Sequence, residues 1–128
     1  MTTLITIVFE TDGSSTSGVC KAKSTAWYGE LDYIRIPRGL KAKIWCKRVS
    51  GEVETKFKLE YCRNVKASSP TWMLIGEEIL ASKGVIELEK RRPIVLEAPT
   101  GLEAFRVSWE QPTAGRAVLE LEVEFADA

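Results

Sequence analysis

At 128 residues, with 45% hydrophobic and 28% charged side chains, the chain is long enough for one domain with a real core and has an ordinary globular composition. Lys+Arg and Asp+Glu both number 18, which disfavours nucleic acid as a partner, and no stretch approaches the ~20 apolar residues that a membrane span requires. Histidine is absent, which removes the usual general base and the commonest metal ligand.

The amides are depleted. Asn64 is the only asparagine and Gln111 the only glutamine, beside abundant Glu, Lys and Arg. That combination points to a hot habitat. The opening run Met1–Phe9 has no basic n-region, so synthesis in the cytosol without export is expected. Three cysteines, Cys20, Cys46 and Cys62, cannot all pair within one chain and read as reduced, packed thiols.

In chain order, Thr3 to Phe9 is a β-branched strand, and Thr11 to Gly18 is a polar, glycine-containing loop. Val19 to Ile36 holds one or two strands with a break near Tyr28-Gly29, followed by a turn at Pro37-Arg38-Gly39. Leu40 to Cys62 reads as a hairpin turning at Val49-Ser50-Gly51-Glu52. Its register sets Ile44 opposite Phe57 and Ala42 opposite Leu59, and puts Cys46 and Cys62 on opposite faces. Asn64 to Pro70 is a loop, Trp72 to Ile75 a strand, and Glu77 to Ser82 either a strand or a helical turn. Val85 to Glu89 and Ile94 to Glu97 are strands separated by Lys90-Arg91-Arg92-Pro93.

The last quarter carries the clearest pattern. Phe105, Val107 and Trp109 share one face; Ala117, Leu119, Leu121, Val123 and Phe125 share another, with Glu120, Glu122 and Glu124 on its reverse. Strict period-two alternation denotes strands buried on one side. With Gln111–Gly115 as a turn, the two runs read as a closing hairpin that sets Arg106 across from Glu120. The whole gives eight or nine short strands over residues 1–128: a single all-β domain, an antiparallel β-sandwich of jelly-roll or related Greek-key type.

No constellation in the sequence carries catalysis. There is no Gly-x-Ser-x-Gly elbow, no Cys-x-x-Cys pair and no phosphate-cradling glycine loop, so no enzyme, metal or cofactor is expected. Aromatic residues beside polar positions are more informative. Trp45 lies between Lys43 and Lys47 on the polar face of its strand, while Trp27, Tyr28 and Trp72 adjoin turns. These residues could anchor a protein interface or stack on a sugar.

Charge is uneven along the chain: twelve basic and seven acidic residues through Lys66, then six basic and eleven acidic. Glu120, Glu122 and Glu124 against Lys41, Lys43, Lys47 and Arg48 are therefore candidates for a charged assembly surface. The reading favours a structural protein that self-associates or joins a partner lattice, in concrete form a capsid, decoration or spike-base subunit in the virion of a thermophile's virus. The alternative is a carbohydrate- or small-ligand-binding module.

Overall fold

Twelve strands make up the regular structure of the computed structural model, which describes residues 3–82, 84–88 and 92–128. They are β1 (Thr3–Glu10), β2 (Ser17–Val19), β3 (Lys21–Lys23), β4 (Ile34–Arg35), β5 (Leu40–Gly51) and β6 (Thr55–Cys62). The remainder are β7 (Met73–Leu74), β8 (Ile79–Ala81), β9 (Gly84–Glu87), β10 (Ile94–Glu97), β11 (Ala104–Glu110) and β12 (Ala117–Asp127). No helix occurs among the described residues.

One sheet runs β10–β5–β12–β1–β3, with β9 also on β5; the other runs β2–β11–β6–β7, with β4 also on β11 and β8 on β6. All pairings are antiparallel. Pieces that share an edge position count as one interrupted strand: β2 with β4, β7 with β8, and β9 with β10. With β3 taken as a flank on β1, the eight positions follow the order 1-8-3-6 in one sheet and 2-7-4-5 in the other. That is the jelly roll. The excess of twelve pieces over the expected eight or nine comes from broken edges. Gly76, with φ +68°, interrupts β7 and β8, and Pro93 precedes β10.

The core lies between the sheets. Ile7, Phe9, Ile44, Val49, Leu119, Leu121 and Val123 come from one side, and Phe57, Leu59, Phe105, Val107 and Trp109 from the other. The inward faces expected for β11 and β12 hold, but the hairpin between them does not exist. β11 pairs with β6 and β12 with β5, in different sheets. Arg106 therefore sits opposite Glu60, and Glu120 opposite Arg48.

The Leu40–Cys62 hairpin fails for the same reason. Ile44 lies between Val123 and Ile94, while Phe57 lies between Trp109 and Ile79. Strands facing each other across a core show the same alternation as strands side by side, so both arrangements satisfy the pattern. The Val49 turn also fails. The register of β5 against β12 shifts between Glu120 and Leu121, leaving Lys47 as an extra residue and carrying Val49 into the core.

Cys46 is consequently half-buried against the main core, and Cys62 lies in a second cluster with Val65 and Ala104. The expected reason, opposite faces of one hairpin, does not hold: the two lie on strands of different sheets, and Cys46 is only partly buried. The ambiguous segment Glu77–Ser82 contains strand β8. Glu89, Lys90 and Arg91 lie outside the described residues.

The crossing turns approach closely where Gly115 meets Val53. A Cβ on residue 115 would lie 2.7 Å from Val53 Cγ2. Gly115→Ala should cost about 1–3 kcal/mol in urea denaturation. Val53→Ala opens the space, so the double variant should lose clearly less than the sum of the singles. Additivity within ~0.5 kcal/mol would mean that the two sites are not coupled.

Candidate functional site

The outer face of the first sheet gathers most of the residues singled out from sequence. Alternation along β5 turns Ala42 and Ile44 inward, and Lys43 and Trp45 outward. Along β12 it turns Leu121 and Val123 inward, and Glu122 and Glu124 outward. Because β5 and β12 are neighbours, Lys43 stands opposite Glu124, Trp45 opposite Glu122, and Arg48 opposite Glu120. Lys41 stands at the end of this face, opposite Ala126.

The charges close on one another within the chain. Lys43 Nζ lies 3.8 Å from Glu124, Lys47 Nζ 3.5 Å from Glu120 and 3.6 Å from Glu122, and Arg48 Nε 3.2 Å from Glu120. Glu122 is only 8% exposed beneath this network. Lysines and glutamates expected to meet between copies therefore meet across adjacent strands of one copy. Trp45 is half-buried in their midst.

The other aromatic residues go elsewhere. Trp27 packs against the main core, its buried indole N–H without a partner among the described residues, while Tyr28 beside it is fully exposed. Trp72 lies over the outer face of the second sheet, where the Arg106 guanidinium stacks 4.2 Å from its ring centroid and Tyr33 approaches at 6.0 Å. Arg106 Nε also donates to Glu60 at 2.8 Å. The rings thus divide among separate surfaces rather than forming a shared platform.

Two features went unnoticed in the sequence. The first is a flank of exposed apolar side chains that wraps the sheet edges on one side: Met73 and Ile86 face the gap between the sheets, Leu74 and Leu80 the outer face of the second sheet, and Val85 and Val95 that of the first. A hollow of about 890 Å³ opens there between β7 and β10, with Tyr61, Met73, Ile75, Val95 and Leu96 on its apolar side and Arg63, Glu97, Thr100 and Glu103 on its polar side. The Tyr61 hydroxyl in its wall donates to the Glu97 carbonyl at 2.7 Å. The sequence carried only a faint signal for it, because two- to four-residue strands are too short to show alternation.

The second feature is the turn before β11. Burial pushes the Glu103 carboxyl up, but hydrogen bonds from Thr100 and the Leu102 N–H outweigh it and hold the group below its ordinary value.

No family model matches this chain, and no curated protein matches it. Among solved structures it is similar to the TNF protein Eiger from S. frugiperda, at 10% identity and a TM-score of 0.42, across 98% of this chain and 94% of that one. Among the described residues, no group of three or more Cys, Asp or Glu side chains is placed to hold a metal ion, and no helix is long and apolar enough to cross a membrane.

The thiols are chemically quiet. Burial pushes the Cys20 thiol far up, with Glu10 adding to the effect, and burial also raises Cys46. Cys62 is buried and donates to Asn64 Oδ1 at 3.0 Å. A thiol reagent at neutral pH should label half-buried Cys46 first, and Cys20 and Cys62 only on unfolding. Mass spectrometry of the unreduced protein should find no Cys46–Cys62 link; finding one would contradict their placement in different sheets and different clusters.

Proposed function

We propose that this chain is a non-enzymatic structural subunit that works by assembling with protein neighbours. The observation that carries this reading is the distribution of exposed apolar surface. Of the ten large apolar side chains exposed among the described residues, six lie on β7 to β10, along the flank where the sheet edges meet. Concentrated exposed apolar surface marks a contact site, and open sheet edges are normally covered or put to use. Val95 stands opposite Lys43, two residues from Trp45, so the flank continues onto the neutralised face of the first sheet. Covering the ion pairs of that face would carry a desolvation cost, so the contact is expected to centre on the apolar side chains.

The concrete form we propose is a virion component, as capsid, decoration or spike-base subunit, of a virus with a thermophilic host. The jelly roll is a shell-building architecture, and this step is an analogy of fold. Heat adaptation rests on the scarcity of amides and on the linked ion pairs of Lys43, Lys47 and Arg48 with Glu120, Glu122 and Glu124, an arrangement that gains weight at high temperature. A carbohydrate-binding module is the second reading. The dispersal of Trp27, Trp45 and Trp72, and the Arg106 cover over Trp72, count against it.

Two measurements test the proposal. Sedimentation velocity on Leu80→Lys combined with Val85→Lys should show association weakened at least about tenfold, with melting shifted by no more than a few degrees. A strict monomer at high concentration that instead binds a polysaccharide would promote the second reading. Thermal unfolding should have its midpoint above ~80 °C; a reversible transition near ~55 °C would remove the hot host.

A further inference from the structure

The strand registers sort the loops to two ends. Ala117 lies beside Gly51 and Glu110 beside Lys56, so the connections 11–16, 52–54 and 111–116 share one end. Asp127 lies beside Leu40 and Ala104 beside Cys62, so the connections 36–39, 63–72 and 98–103 share the other.

The charges sort with them. Asp12, Glu52 and Glu54 are exposed at the first end, where the one described cation of the connections, Arg116, is tied to Glu10 at 3.3 Å. Glu52 and Glu54 form no ion pair among the described residues. At the second end Arg35, Arg38, Arg63 and Lys66 are exposed and likewise form no ion pair among the described residues. Acidic groups at that end are fewer: Glu97 and Asp127 are exposed, and Glu103 is buried with its carboxylate turned onto Thr100 and Leu102. The acids of the first end and the cations of the second all come from the first 66 residues, so the polarity of the two ends arises from how the loops are sorted and not from the uneven charge along the sequence.

At the basic end a hollow of about 390 Å³ is lined by Arg35, Pro37, Arg38, Thr100, Gly101 and Leu102. Arg35 donates one N–H to the Gly101 carbonyl, which aims its guanidinium and leaves its other donors available. At the acidic end the short β5–β6 turn holds Glu52 and Glu54 on either side of Val53.

We propose that copies of this chain stack end to end, the Glu52–Glu54 turn of one seated against the Arg35–Arg38 hollow of the next. The contact joins two different patches, so it propagates in a row rather than closing as a symmetric pair. It rests on the assembly reading above and adds to it an electrostatic contact, whose Glu54 and Glu52 neighbour Leu80 and Val85 of the flank. Exposed charge pairs give a weak, salt-sensitive and directional contact.

Sedimentation velocity across protein concentration at about 20 mM and about 500 mM salt tests it. The work is done in wild type and in a Leu80→Gln/Val85→Gln background, which removes apolar surface from the flank without placing cations beside Glu54 and Glu52. In that background the protein should grow beyond dimers at low salt and dissociate at high salt. Arg38→Gln alone, and Glu52→Gln with Glu54→Gln alone, should each weaken the low-salt association at least about tenfold while melting as their parent does. An equimolar mixture of the two should form pairs and stop there, because one variant keeps its acidic turn and the other its arginines. Association that ignores both salt and these substitutions, yet is lost with Leu80→Gln/Val85→Gln, overturns the stacking and leaves the assembly reading standing. A wild-type monomer under every condition overturns both.

Discussion

The fold depends on how the chain turns across the ends of its core. The connections from β5 to β6 and from β11 to β12 pass from one sheet to the other instead of making hairpins. Their backbone groups must be satisfied where no ladder continues. At the acidic end a small buried network does this. Thr11 Oγ1 donates to the Gly115 carbonyl and accepts from the Ala117 N–H, both at 3.0 Å. Gln111 Nε2 donates to the same carbonyl and to Thr55 Oγ1, both at 2.9 Å. Three loops are held by three side chains. At the far end Asn64 Oδ1 accepts from the Cys62 thiol and from the Thr71 N–H at 3.1 Å. The two amide side chains in the whole chain are thus both structural pins, one at each end.

Charge follows from the same topology. Placing β12 between β1 and β5 sets its glutamates directly against the lysines and arginine of β5, so the flat face neutralises itself. Each such surface pair contributes little alone, and a shared network contributes more as temperature rises. Among the described residues, the charges outside such pairs gather at the connections and the strand ends next to them. The molecule therefore has a balanced face and two ends of opposite sign, which links its folding pattern to the stacking proposed above.

The apolar flank has a comparable origin. A sandwich of two open sheets leaves edges, and here those on one side are built from pieces of two to four residues. Short, interrupted edges resist unspecific strand addition. Their side chains nonetheless point partly outward, and Leu80, Val85 and Val95 form apolar surface that the chain itself leaves open.

The sequence by itself determined the class of structure and which residues face inward. Phe105, Val107, Trp109, Leu119, Leu121 and Val123 are all buried as their alternation requires, because the period of a strand is a local property. It also marked Lys43, Trp45, Glu122 and Glu124 as lying on the opposite side of their strands from the core. Only the tertiary structure decided which strands are neighbours. Alternation states the face of a strand, not its partner, so the imagined hairpins of β5 with β6 and of β11 with β12 fitted the pattern as well as the true sandwich does. The extra residue at Lys47 and the core position of Val49 were invisible for a related reason: a bulge exists only relative to the strand beside it. Whether the charges of β5 and β12 would cancel, and whether those of the loops would collect at two ends, likewise depended on which strands the fold set side by side.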